Sequence, residues 1–259
     1  MNKLLIFLIT LPLFATDYAL IIGIGNYQNS SIPKLKNYTI DITNYNEILY
    51  SYNLKPQNIY SLIDSQATKT NITTTLALIT QKIKRNDQFF MFFSGHGTSL
   101  FDENYSQQLQ QAGLTEIMQE SGAILPYDFN PQKIASTLVI GKEDFRPQLK
   151  KIDDKGVDAL IVFDACFSEN SIRTSSENWT NRTPNILTEN DNYPYENIVY
   201  IASSIIQSQS GKFSPILKAC LNNKSIQLKT LKECINQKVG NSMQIPAILA
   251  NQNKVTIFK

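Results

Sequence analysis

Several segments of this chain are apolar without alternation, and that pattern limits the available folds more than any other. Tyr18 to Ile24, Gln88 to Ser94, Asp158 to Phe163 and Asn197 to Ala202 each stay apolar for about the length of one strand. A strand with one wet face alternates; a continuous apolar strand is covered on both sides, as in a parallel sheet wrapped by helices. Asn58 to Ile63 reads as a further strand and Val255 to Phe258 as a last one. Between them lie helical stripes: Ile42, Tyr45, Leu49 and Tyr52, then Ile72, Leu76, Ile79 and Ile83, then Glu143 to about Ile152, then Leu228, Leu231 and Ile235. The expectation is an α/β domain with a mostly parallel, doubly wound sheet of about six strands flanked by helices. With 259 residues and 42% hydrophobic content, one large domain has enough core.

Two segments interrupt the pattern. Thr98 to Gly122 is polar and Gln-rich, and Glu169 to Tyr195 is rich in Ser, Asn, Thr and Pro. Both read as long irregular excursions, the second as a polar linker (169–195) between a larger and a smaller portion of the domain. The first fifteen residues differ again: Lys3, an apolar stretch from Leu4 to Phe14, and the small Ala15 have the build of a secretory signal peptide. Residues 1–15 are therefore expected to be a leader and 16–259 an exported domain, periplasmic or secreted, with no membrane span. A net charge of +2 spread along the chain, with no dense Lys/Arg block, does not nominate nucleic acid as a partner. Of the three cysteines, Cys220 and Cys234 either pair or sit as small buried residues on neighbouring helices, and pairing would leave Cys166 free. Three cysteines and one histidine without close spacing do not make a structural zinc site.

The single histidine, His96, ends the strand Gln88–Ser94 in the run Ser94-Gly95-His96-Gly97, so any imidazole chemistry must happen there. The strand from Asp158 ends in Asp164-Ala165-Cys166. Either residue alone is common in cores. Together they sit at strand ends before polar excursions, and open α/β sheets carry their sites at the carboxyl ends of the strands. A thiol and an imidazole so placed are the parts of a cysteine peptidase, with nucleophile and proton carrier. The glycines beside His96 permit a tight turn and close approach of a substrate chain.

These motifs resemble the caspase-like and metacaspase-like cysteine peptidases, whose strands end in Ser-Gly-His-Gly and Asp-x-Cys. Ile22-Gly23-Ile24-Gly25-Asn26-Tyr27 resembles that family's first strand, Leu35 to Asp41 its first helix start, and Leu125-Pro126-Tyr127-Asp128 its Pro-x-Asp element. Ala202-Ser203-Ser204, Gly211-Lys212-Phe213 and Gln244-Ile245-Pro246 are similar to markers of its smaller C-terminal portion. The resemblance implies a caspase-like fold, Cys166 as nucleophile, His96 as general acid and base, and the backbone amides of Gly97 and Cys166 as oxyanion hole. It implies Asp41 and Asp164 as acids lining the primary specificity pocket. Two carboxylates in a narrow pocket favour Lys or Arg before the scissile bond, since a cation relieves their repulsion. Arg173 and Arg182, in the linker, are then the expected self-cleavage points.

After the nucleophile the chain reads Cys166-Phe167-Ser168-Glu169, where metacaspase-type sequences commonly continue Cys-His-Ser-Gly. The segment Glu169 to Arg173 lacks the acidic cluster of calcium-dependent members, so neither metal nor cofactor is expected. The expected function is an exported endopeptidase acting on a peptide or protein substrate; the alternative is a catalytically silent caspase-like binding or scaffold module. Nucleotide binding is poorly supported, because Gly23-Ile24-Gly25 is followed by Gln at position 28 and no Walker-type Gly-Lys-Ser/Thr occurs.

Overall fold

The computed structural model describes residues 15–100, 102–119, 121–165, 193–203, 210–221, 226–240 and 246–258. In chain order the elements are β1 (Tyr18–Gly23), α1 (Tyr38–Ser51), β2 (Ile59–Ile63), α2 (Lys69–Lys82), β3 (Gln88–Ser94) and β4 (Gly97–Thr98). Next come α3 (Ser106–Gln111), α4 (Thr115–Gln119), β5 (Ala123–Ile124), α5 (Ile134–Thr137), β6 (Val139–Ile140) and α6 (Arg146–Asp154). The chain then continues through β7 (Asp158–Asp164), β8 (Ile198–Ala202), α7 (Phe213–Cys220), α8 (Leu228–Val239) and β9 (Ala247–Leu249).

The main sheet has six strands in the order β2-β1-β3-β7-β8-β9; all pairs are parallel except β8–β9. Its apolar strands are covered on both faces, as their lack of alternation requires. Leu20, Ile22, Phe89, Met91, Phe93 and Ile161 pack on one face with Ile72 and Leu76 of α2 and Leu149 and Ile152 of α6. Ala19, Ile21, Phe90, Phe92, Leu160 and Val162 pack on the other with Ile48 and Leu49 of α1, Leu217 of α7 and Leu231 of α8.

Three expectations are corrected. Thr98 to Gly122 contains two short helices, α3 and α4, seated by Leu109 and Met118, and leads into a small antiparallel sheet, β4-β5-β6. The last strand of the main sheet is Ala247–Leu249, not Val255–Phe258. That tail forms one isolated bridge, Gln227 with Thr256, and buries Ile257 and Phe258 against the α1 side. Helix α6 starts at Arg146 rather than Glu143, after a π-helical turn over Gly141–Phe145, because Pro147 has no N–H and suits the first turn.

Cys220 and Cys234 form a disulfide with Cα atoms 5.8 Å apart, joining the end of α7 to α8. Residues 1–14, which carry most of the expected leader, and 166–192, which hold Cys166, Arg173, Arg182 and most of the polar linker, lie outside the described residues. No helix among the described residues is long and apolar enough to cross a membrane.

Candidate active site

Three strand ends meet at the carboxyl edge of the main sheet. Gly23 of β1 pairs with Ser94 of β3, and Ser94 with Asp164 of β7. His96 follows Ser94 by two residues, and position 166 follows Asp164 by the same step. Gly95 makes the turn, its N–H donating to the Asp164 carbonyl at 3.4 Å. A Cβ there would lie 2.6 Å from the Phe93 ring, so only glycine fits between strand and turn.

His96 is half-buried and held at several points. Its backbone N–H donates to the Tyr27 hydroxyl at 2.7 Å, and its carbonyl accepts from Leu125 N at 3.0 Å. Its Nε2 lies 2.8 Å from the Pro33 carbonyl oxygen. A carbonyl can only accept, so Nε2 carries the proton and the neutral ring keeps its lone pair on Nδ1. Burial lowers the imidazole pKa below its ordinary 6.5, opposed by the Pro33 bond and the nearby Asp102 carboxylate. The ring is therefore mostly neutral at pH 7, with Nδ1 as its basic atom.

The bond from Leu125 N to His96 O makes Gly97 and Ile124 a non-hydrogen-bonded pair of the β4–β5 ladder. The Gly97 N–H consequently points away from β5.

Asp41, in the first turn of α1, is fully buried. Its carboxylate does not serve its own helix start. It accepts from Ser94 Oγ at 2.8 Å, Ser214 Oγ at 2.6 Å and Gly211 N at 3.0 Å, joining the end of β3 to the start of α7. Desolvation raises its pKa, and those three donors oppose the rise. Asp164 is also buried, with the Tyr45 hydroxyl 3.5 Å from its Oδ2. Tyr45 stacks on Phe92 at 4.5 Å; burial first, then the charges of Asp164 and Asp41, push its pKa well up, so the phenol stays neutral.

A sequence model of the caspase domain matches residues 16–255, nearly the whole described chain. The chain belongs to the caspase-domain family. It is also 31% identical over 163 residues to metacaspase-1 of Plasmodium falciparum (isolate 3D7), an alignment covering 60% of this chain and 24% of that protein. The chain thus spans about a quarter of the relative's length. In this caspase domain the strand end carrying His96 and the acids Asp41 and Asp164 occupy one edge, linked by Ser94 and Tyr45. Among the described residues, no group of three His, Cys, Asp or Glu side chains is placed to hold a metal ion. Sequence reasoning passed over Pro33, Tyr45 and Ser214 as site residues, and quoted Tyr27, Ser94 and Gly211 only as family markers. Their contacts join residues far apart in the chain, with no local signal beyond those markers.

Proposed function

We propose that this caspase domain is an exported cysteine endopeptidase that cleaves after Arg or Lys through a Cys166–His96 dyad. Nδ1 of His96 takes the Cys166 thiol proton, and the sulfur attacks the scissile carbonyl carbon. The oxyanion is held by the Gly97 and Cys166 amides, each such donor contributing roughly 3–4 kcal/mol. As the C–N bond breaks, His96 returns the proton to the leaving amine, giving a thioester. Water, deprotonated by Nδ1, attacks the thioester carbonyl; the new carboxyl product leaves and the thiol is regenerated. The observation that carries this reading is His96 itself: Nε2 committed to Pro33 and Nδ1 left basic, at a strand end beside the strand that runs on to Cys166.

The preference for a cation before the scissile bond rests on Asp41 and Asp164, whose charges both act on the buried Tyr45 phenol. Export is supported by the apolar leader Leu4 to Phe14, cleaved near Ala15, and by the Cys220–Cys234 disulfide, a bond that persists in oxidising compartments. Self-cleavage is assigned to Arg173 and Arg182.

Purified protein is incubated with Arg-, Lys- and Asp-ended fluorogenic peptides beside Cys166→Ala and Asp164→Ala variants. Wild type should cut the Arg and Lys peptides and convert itself to two large pieces, with a nine-residue peptide released where both Arg173 and Arg182 are cut; Cys166→Ala should stay intact and inert. Cleavage after Asp, or undiminished Arg preference in Asp164→Ala, refutes the pocket assignment. Equal inactivity of wild type and Cys166→Ala refutes the activity.

A further inference from the structure

We infer that Tyr27 is a positioning residue for His96, fixing both the imidazole and the adjacent oxyanion donor from one loop. The inference rests on the peptidase reading for its consequence in catalysis, but the contacts themselves do not. Tyr27 is only 8% exposed, and its hydroxyl accepts the His96 N–H at 2.7 Å. Its ring lies 5.4 Å from the imidazole at 41°. One side chain therefore holds the His96 peptide and also packs against the His96 ring. The hydroxyl would lie 3.2 Å from a Cβ placed on Gly95, a tight contact that a glycine before His96 avoids.

Fixing the His96 N–H has a second effect. Positions 96 and 97 present consecutive amides at the strand end, and only one can serve an oxyanion. Tyr27 occupies the amide of His96, while the ladder register turns that of Gly97 outward. If the His96 peptide rotated, the imidazole and the Gly97 N–H would move together.

The loop bearing Tyr27 is itself tied down. Asp64, at φ +46°, accepts from Gly25 N at 2.9 Å, Asn26 N at 3.0 Å, Asn26 Nδ2 at 3.1 Å and the Tyr38 hydroxyl at 2.7 Å. Gln28 N donates to the Tyr127 carbonyl and Leu35 N to the Gly25 carbonyl, each at 3.0 Å. Pro33, whose carbonyl holds Nε2, belongs to the same loop. A non-glycine residue in left-handed backbone is strained, and four donors on one carboxylate offset that cost. The loop thus grips His96 by its main chain through Tyr27 and by its ring through Pro33, with Asp64 as its anchor.

The test uses the fact that the chain has one histidine. In protein labelled with 15N histidine, a single imidazole titrates; of the groups around it, Asp102 and the Tyr27 phenol face it among the described residues. Wild type should show the Nε2–H tautomer and a pKa below the ordinary value. Tyr27→Phe keeps the ring and removes only the hydroxyl. It should raise the imidazole pKa, mix the tautomers and lower kcat roughly 10- to 100-fold, with KM changed less than about threefold. Asp64→Asn weakens the anchor without touching His96 and should move the titration the same way by less; it decides the matter if Tyr27→Phe does not fold. Unchanged tautomer and titration in the folded variant overturn the assignment. The spectrum needs no substrate, so a wild type that cuts no peptide would count against the proposed activity alone.

Discussion

At the scale of single residues, the turn carrying His96 was legible because it follows a continuous apolar strand, and strand ends are visible in a sequence. What holds the histidine was not legible. Pro33 and Tyr27 reach it across 63 and 69 positions, through a carbonyl and a hydroxyl that leave no periodic trace. Asp41 shows the same limit from the other side: its place in the first turn of α1 marks it as a helix-start acid, yet its carboxylate serves Ser94 and α7. The electrostatics around His96 give a pH prediction. Burial disfavours the imidazolium, so the neutral, proton-accepting ring persists below pH 6.5, and the acid limb of kcat/KM should fall below that value. The Asp102 carboxylate opposes burial by favouring the charged ring. Asp102→Asn should therefore move the limb to still lower pH; a shift to higher pH in the rate profile would contradict this account.

At the scale of elements, long apolar strands and three- or four-turn helices were readable, whereas α3 and α4, of 6 and 5 residues, were not. So short a helix shows one buried position, Leu109 or Met118, and one position has no period. The edge strand β9 was missed similarly, being three half-buried residues long. Joints between elements are set by side chains instead. Asp153, in the last turn of α6, is buried and accepts from the amides of Glu196 and Asn197, which lead into β8. Asp153→Ala would leave two backbone donors without their acceptor, at roughly 1–3 kcal/mol each. Urea unfolding should show a loss of about 2–6 kcal/mol with an unchanged m-value; a loss under about 0.5 kcal/mol would mean water replaces the carboxylate.

At the scale of the whole molecule, the disulfide and Asp41 divide the work of holding α7 and α8. Cys220–Cys234 joins α7 to α8 across 14 positions, while Asp41, Asn44 and Glu47 of α1 tie Gly211, Ser214 and Lys218 to the first helix. Replacing both cysteines with alanine should lower stability by about 2–4 kcal/mol, as loops of this length suggest. Calorimetry in the presence and absence of reductant would check it, since a Tm unmoved by reductant contradicts a stabilising bond. The sheet ladder carries a further consequence. Gly23, Ser94 and Asp164 stand abreast, so the hydrogen-bond register acts as the ruler that sets the end of β3, two residues before His96, against the end of β7 at Asp164. Alternation along a strand makes that ruler graduated in whole residues. Evolution can exchange side chains at this edge one at a time, but inserting or deleting one residue within β3 or β7 would turn that strand's side chains to the opposite face and break the Ser94–Asp164 alignment in one step.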